Sequence, residues 1–179
     1  YDIFAIHSIL FNHEGLKRGE EFVTRKITKA VARIATAIAN NQEFEPLELG
    51  NLDSKRDWSD SEDFVEAIWL MLNQEQPKEY VLSSNETHSI REFVEKAFAY
   101  AHISGNWNGE GPEEKLLNEG NNIPLVKINE NFYRPAEVDL LYGNSNPIRE
   151  ELGWKPKISF DKLVERMVIY DLELEHAKR

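Results

Sequence analysis

The chain has 179 residues, of which 41% are hydrophobic and 30% charged, enough to bury the core of one soluble globular domain. It contains no cysteine, which excludes disulfides and thiolate metal sites, and we expect a cytoplasmic protein. The net charge of −11 disfavours a nucleic-acid partner, and no apolar run reaches the ~20 residues that span a membrane.

The first predicted element is a strand over residues 3–11, rich in Ile, Leu and Phe as expected for a strand covered on both faces. An Asn-His-Glu cluster at residues 12–14 follows it, and a loop with Lys17 and Arg18 comes next. A polar loop at the carboxyl end of a buried strand is typical of a ligand site.

Basic side chains outnumber acidic ones in the first 35 residues, although the whole chain is acidic. This local excess has two interpretations. It is a solvated helix face with ordinary counter-charges, or it serves to bind a small anionic ligand.

The next predicted element is a long amphipathic helix over residues 21–39, because its apolar residues recur at helical spacing. Its polar face carries Lys26, Lys29 and Arg33. A polar break over residues 40–46 separates it from a short strand at Leu47-Glu48-Leu49.

A second helix is predicted to begin after Trp58, with Ser59 or Ser61 as its N-cap. Its apolar stripe would contain four residues: Phe64, Val65, Ile68 and Leu72.

The third helix follows a short strand over residues 80–82. Ser89 and Glu92 form a capping-box pattern, in which the serine oxygen accepts the amide of the third helical residue. Apolar residues then recur at helical spacing from Ile90 to Ala101.

The last third of the chain begins with a Gly-, Asn- and Glu-rich segment over residues 104–122, predicted as a surface insertion or mobile loop. Residues 126–128 are predicted as an edge strand, and a short helix runs from Asn146-Pro147 to Gly153. The final helix starts near residues 159–161 and turns four residues inward: Leu163, Val164, Met167 and Val168. We find no internal repeat and predict a single domain over residues 1–179.

Familiar catalytic patterns are absent from the sequence. It has no G-x-G-x-x-G, so we expect no dinucleotide-binding half of its own. It has no Tyr-x-x-x-Lys, no G-x-S-x-G and no metal-spaced histidine cluster, so we assign no catalytic residue and no metal. His88, His102 and His176 are scattered and are interpreted as ordinary structural or surface residues.

Several motifs together resemble the C-terminal part of the GDP-mannose 4,6-dehydratases, a family of the extended short-chain dehydrogenase/reductase superfamily. The resemblance covers essentially all 179 residues. It implies an α/β fold, mostly helical with short strands, that begins at a late strand of a Rossmann domain. The motifs are Phe11-Asn12-His13-Glu14, Arg18-Gly19, Phe22-Val23-Thr24-Arg25-Lys26, Gly50-Asn51-Leu52-Asp53, Lys55-Arg56-Asp57-Trp58 and Tyr133-Arg134-Pro135-Ala136-Glu137-Val138-Asp139.

The resemblance implies roles for residues around the first loop. Asn12 would hydrogen-bond GDP-mannose. His13 and Arg18 match positions that contact the cofactor NADP, the arginine as a partner for phosphate. Val23 and Lys26 match positions on the guanine-nucleotide side of the substrate.

Three more substrate residues are implied farther along the chain. Arg56 and Arg134 match the arginines that hold the diphosphate and adjoining ribose, where a planar guanidinium can make two parallel bonds. Glu137 matches a carboxylate that accepts from ribose hydroxyls. From the residues alone, Arg56 could equally pair with Asp53 or Asp57.

Two aromatic residues beside these motifs have a structural interpretation. We interpret Trp58 and Tyr133 as packing residues rather than as stacking platforms for a base.

The family reaction converts GDP-mannose to GDP-4-keto-6-deoxymannose, on the route to GDP-fucose. The residues that perform it would precede Tyr1, so the resemblance implies a substrate-binding part that is inactive by itself. The resemblance also implies a homo-oligomer, because family members are usually homo-oligomers. The alternative is a stand-alone sugar-nucleotide or protein-binding module derived from such an enzyme.

If the cofactor half is absent, the first strand loses its sheet neighbours. We then expect self-association, or binding of a partner chain, through that exposed strand.

The sequence departs from the family pattern at residues 15–17 and 59–61, and residues 39–46 resemble an insertion. Asp60 and Glu62 add negative charge near Arg56 in the sequence. We expect this charge to weaken diphosphate binding, and another nucleotide sugar remains a possible substrate.

Overall fold

The computed structural model describes residues 3–133 and 138–178. Within that part, no helix is both long and apolar enough to cross a membrane. Short 3-10 helices cover Gly111–Glu113 and Glu130–Phe132. The other helices and strands are, in chain order, β1 (Ser8–Leu10), β2 (Asn12–Glu14), α1 (Val23–Ala39), β3 (Leu47–Leu49), β4 (Lys55–Arg56), β5 (Trp58–Asp60), α2 (Ser61–Leu72), β6 (Tyr80–Leu82), β7 (His88–Ser89), α3 (Ile90–Tyr100), β8 (Gly105–Asn108), β9 (Lys115–Asn118), β10 (Pro124–Ile128), β11 (Leu140–Leu141), α4 (Asn146–Leu152) and α5 (Phe160–His176).

The chain forms two compact units. Unit 1 contains residues 1–15, 55–88 and 140–163, and unit 2 contains residues 16–54, 89–139 and 164–179. Each unit is therefore assembled from segments that are far apart in the sequence. The fold is α/β with short strands, as predicted.

Unit 1 is built on pairs of parallel strands. β1 pairs with β6, β2 with β5, and β11 with β4. In β1, Ile9 is 59% exposed and Leu10 is 38% exposed. Because β1 covers only Ser8–Leu10, the strand is shorter than the one predicted over residues 3–11. The exposed side chains of Ile9 and Leu10 show that the predicted cover on both faces is wrong for this structure.

Helix α2 packs in unit 1 through a face that overlaps only part of the predicted one. Phe64 is buried and Ile68 packs against the core, as predicted, whereas Val65 and Leu72 are 65% and 51% exposed. Asp63 also faces inward, because its carboxylate accepts the backbone N–H groups of residues 157 and 158 at 3.0 Å. A buried polar residue cannot be found from hydrophobic periodicity, so the sequence identified only Phe64 and Ile68 of the inward face.

The N-cap of α2 also differs from the prediction. The side chain of Asp60, rather than Ser59 or Ser61, accepts the backbone N–H of Glu62 at 2.9 Å. Asp60 is itself buried. A carboxylate at this position also interacts favourably with the positive end of the helix dipole.

The core of unit 1 lies between α2, β6 and α4. Its buried residues are Phe64, Ala67, Met71, Tyr80, Leu82, Ile148 and Trp154. Helix α4 ends as predicted, with Gly153 in the left-handed conformation at φ 68°.

Unit 2 contains a four-stranded sheet in the order β3-β10-β9-β8. β8 and β9 form an antiparallel hairpin within the segment 104–122, so the prediction of a loop there is wrong. β10 lies between β3 and β9 and is not the predicted edge strand. Arg91 of α3 secures the hairpin, because its guanidinium binds Glu114 with contacts of 2.6 and 3.1 Å.

Helices α1 and α3 pack together in unit 2, and both were predicted. The Ser89 side chain accepts the Glu92 N–H at 3.1 Å, which confirms the serine half of the capping box. Of the four residues predicted to face inward from α5, all are buried: Leu163, Val164, Met167 and Val168.

Candidate functional site

The candidate site in unit 1 lies where two parallel strands end. β1 and β6 run in register from Ser8 opposite Tyr80, so their carboxyl ends lie at one edge. The Phe11 N–H continues the pairing by donating to the Leu82 carbonyl at 3.0 Å. A polar segment follows each strand, 12–14 after β1 and 83–85 after β6. This edge is where open α/β sheets bind ligands.

Gly143 allows a third segment to approach this edge closely. A Cβ atom built on Gly143 would lie 2.4 Å from the Ser83 Cβ and 2.9 Å from the Phe11 Cδ2. These distances are shorter than side-chain contacts allow. Glycine is therefore required at residue 143 by the space available, not by its backbone angles.

Asn12 carries a buried donor that needs a partner. It is the first residue of β2 and lies opposite Trp58 of β5. Its Nδ2 atom is buried and has no hydrogen-bond acceptor among residues 3–133 and 138–178. Because an unsatisfied buried amide costs about 1–3 kcal/mol, this atom favours a bound acceptor.

His13 is held in place from two sides. Its Nδ1 lies 2.9 Å from the Phe11 carbonyl oxygen, which can only accept, so Nδ1 carries the proton. Its ring centroid lies 5.6 Å from that of Phe64 in the unit 1 core. Nε2 is then the ring nitrogen that can act as an acceptor.

Arg56 ends β4 and lies close in the chain to two aspartates. Its Nη1 donates to the Lys55 carbonyl at 2.9 Å. Asp53 binds Arg91 at 3.1 Å. Asp57 accepts from the segment after β6.

Asp57 is a buried residue of this region that the sequence did not identify as important. Its carboxylate accepts the N–H and Oγ–H of Ser84 at 2.8 and 2.7 Å and the N–H of Asn85 at 3.1 Å. Burial raises the pKa of Asp57, whereas these donors act in the opposite direction. The neighbouring Arg-Asp-Trp motif was visible in the sequence, but only the fold shows which segments the aspartate joins.

Three other predicted residues lie in unit 2, near the start of α1. The Arg18 guanidinium lies 3.4 Å above the ring centroid of Phe22. Val23 is the first residue of α1 and is half-buried. The Lys26 ammonium lies 3.8 Å from the ring centroid of Phe132, and burial lowers the pKa of Lys26.

The predicted residues therefore fall into two groups. Asn12, His13 and Arg56 belong to unit 1, and Arg18, Val23 and Lys26 belong to unit 2. The remaining two, Arg134 and Glu137, lie outside the described residues, so their predicted roles stay predictions.

The aromatic residues beside these motifs differ from each other. Trp58 is buried, and its ring stacks at 5.9 Å on Phe160, which confirms a packing role. Tyr133 is 45% exposed, so a packing role for Tyr133 stays a prediction.

Two other kinds of ligand site, metal sites and the open cavities of unit 2, do not involve the predicted site residues in the described part of the chain. No group of three or more His, Asp or Glu residues there could hold a metal ion. Two open cavities of unit 2, about 550 and 630 Å³, are lined by residues 95–116 and by residues 38–45 with 121–123, respectively. Neither cavity includes a predicted site residue.

The fold is α/β, and its similarity to known proteins places it in the extended short-chain dehydrogenase/reductase class. A solved structure, RMD from Pseudomonas aeruginosa complexed with NADPH, matches with a TM-score of 0.71 at 18% identity. The match covers 93% of this chain and 47% of that chain. At this identity the likeness shows the fold alone.

The chain belongs to the GDP-mannose 4,6 dehydratase family, whose sequence model matches residues 1–167. The GDP-mannose 4,6 dehydratase of Drosophila melanogaster is 48% identical over 174 residues, which are 97% of this chain and 43% of that protein. The Dictyostelium discoideum protein of the same name is 50% identical over 97% of this chain and 47% of its own length. The predicted resemblance is confirmed, and the chain spans less than half the length of these relatives.

Proposed function

We propose that this chain is the substrate-binding part of a GDP-mannose 4,6-dehydratase and binds GDP-mannose. The buried amide nitrogen of Asn12 carries the proposal, because among the described residues it is a donor without an acceptor, at a strand end that the family match includes. The sugar nucleotide would supply that acceptor. The relatives named after this reaction support the choice of substrate.

The predicted basic residues suit an anionic sugar nucleotide. Arg56 can hold a diphosphate through paired N–H donors. Lys26 at the start of α1 would bind the nucleotide side, and its partial burial strengthens its attraction for phosphate. Arg134 and Glu137 are proposed to complete the contacts to diphosphate and ribose.

We propose NADP as the cofactor of the whole enzyme, contacted here by His13 and Arg18. When bound, the cofactor would supply reversible hydride transfer for the dehydration of the sugar, and His13 and Arg18 would hold it. Arg18 suits a phosphate contact because Phe22 holds one face of its guanidinium and its N–H donors lie along the edges. The NADPH in the similar solved structure supports a nicotinamide cofactor.

The 179 residues contain no Tyr-x-x-x-Lys pair to transfer the protons of this reaction. We therefore propose that the chain by itself binds the substrate without converting it. Conversion of GDP-mannose by the purified chain with added NADP, followed by chromatography of the nucleotide products, would refute this part of the proposal.

Binding is tested by calorimetric titration of the chain with GDP-mannose and, separately, with UDP-glucose. We expect GDP-mannose to bind more tightly, and Arg56→Ala to weaken it by about tenfold, the loss of one charged hydrogen-bonding group. Lys55→Ala, which changes an exposed residue of the same strand, is the matched control. Equal affinity for both sugar nucleotides would contradict the proposed substrate.

A further inference from the structure

The residue after Arg56 joins three segments of unit 1. Asp57 lies between β4 and β5 and is fully buried. Its carboxylate accepts from Ser84 and Asn85 after β6, with the three distances of 2.7 to 3.1 Å given above. Its own N–H donates to the Leu141 carbonyl of β11 at 3.1 Å.

Within the described residues, every partner of the Asp57 carboxylate is neutral. Two backbone N–H groups and a hydroxyl donate to it directly, and the Gly143 N–H also faces it. Burial of a charge without a cation is unfavourable unless the charge is fully hydrogen-bonded. An apolar residue of similar size would leave the Ser84 and Asn85 N–H groups without an acceptor, so the carboxylate is what ties the β4–β5 backbone to the segment after β6.

The position of Asp57 relates it to Asn12 and Arg56, the two candidate substrate-binding residues of unit 1. Arg56 precedes it, and Trp58 follows it and is the register partner of Asn12. A displacement of the Asp57 backbone would therefore move the Arg56 guanidinium and the Asn12 amide together.

We propose that Asp57 is a positioning residue, which fixes the β4–β5 backbone so that Arg56 and Asn12 keep the separation that a nucleoside diphosphate sugar needs. Asp57 does not touch the ligand; it acts through Arg56. The inference rests on the proposed function, because it requires Arg56 to bind the diphosphate.

The test is a double-mutant cycle, read by calorimetric titration of the 179-residue chain with GDP-mannose. Asp57→Asn keeps the shape of the side chain but places a donor against N–H groups that need acceptors. We expect Asp57→Asn and Arg56→Ala each to weaken binding about tenfold, and the double variant to bind no more weakly than Arg56→Ala alone. A purely structural role would give additive losses.

Asp63→Asn is the matched control for general destabilisation. Asp63 is also a buried carboxylate of unit 1 and also accepts two backbone N–H groups, but from residues 157 and 158. We expect it to lower the unfolding temperature and leave GDP-mannose affinity unchanged. If Asp57→Asn does not fold, Ser84→Ala removes one donor to Asp57 and is expected to weaken binding severalfold in wild type and not in Arg56→Ala.

The outcomes separate this inference from the proposed function. If wild type binds GDP-mannose but the cycle is additive, or Asp63→Asn weakens binding as much as Asp57→Asn, the positioning role is overturned and the proposed function stands. If wild type does not bind GDP-mannose, or Arg56→Ala has no effect, the positioning role fails together with the binding role of Arg56.

Discussion

At the scale of single residues, a buried ion pair between Arg25 and Asp171 links two helices of unit 2, and amino-acid composition gives no sign of it. The side chain of Arg25 is 7% exposed and binds Asp171 of α5 at 3.0 Å, and Asp171 also accepts the Thr28 hydroxyl at 2.7 Å. A second N–H group of Arg25 donates to the Leu16 carbonyl. In the sequence, Arg25 is indistinguishable from the basic residues around it, such as Lys26 and Lys29.

We predict that Arg25→Met destabilises the chain by about 3–5 kcal/mol, because it leaves the Asp171 carboxylate buried without its cation. Urea unfolding followed by circular dichroism measures the change. Arg33→Met, an exposed arginine of the same helix, is the control and should change stability by less than about 0.5 kcal/mol. Equal effects of the two substitutions would show that the Arg25 pair does not stabilise the fold.

At the scale of elements, the beginning of α2 shows how a local signal can be assigned to the wrong residue. Two serines and an aspartate compete for the N-cap at residues 59–61, and all three residue types are good caps. The β2–β5 pairing decides among them. The pairing extends through Asp60, which lies opposite Glu14, so Asp60 is the last residue of β5. The helix therefore begins at Ser61, and Asp60 is its N-cap.

We predict that Asp60→Ala costs about 1 kcal/mol of unfolding free energy, the typical contribution of an N-cap side chain. Ser61→Ala should be close to neutral. Ser59→Ala should also be neutral or slightly stabilising, because the buried Ser59 hydroxyl has no partner among the described residues. Chemical unfolding of the three variants distinguishes these assignments. A loss for Ser61→Ala as large as that for Asp60→Ala would argue against the Asp60 cap.

At the scale of the whole molecule, the exposed first strand is the feature with the largest consequence. Within the described residues, β1 has one strand neighbour, β6, and apolar side chains before and within it are solvent-exposed. Ile3, Phe4 and Ile9 are 72%, 43% and 59% exposed. An open strand edge with apolar side chains favours pairing with another chain.

We predict that the 179-residue chain self-associates through β1, so that its mass by light scattering rises with concentration. Ile9→Lys should reduce this association, because it places a charge on the exposed strand. Val65→Lys is the control, since Val65 is similarly exposed but lies on α2. A monomer at all concentrations, or an equal effect of both substitutions, would contradict the prediction.

The sequence by itself determined the features that depend on neighbouring residues. Helix α3 could be predicted because Ser89 caps it and its apolar residues recur within a few positions, and α4 because Gly153 ends it. The motifs around Asn12 and Arg56 likewise established the family, since a motif is a local pattern.

Only the tertiary structure decided the features that depend on distant partners. Asp63 belongs to the inward face of α2 because its carboxylate accepts the backbone N–H groups of residues 157 and 158. The β8–β9 hairpin became part of a sheet because β10 lies beside it. Asp57 could be identified only when Ser84 and Asn85 were brought to it. A hydrogen bond between segments far apart in the sequence leaves no periodicity to detect, so these three features follow from the fold.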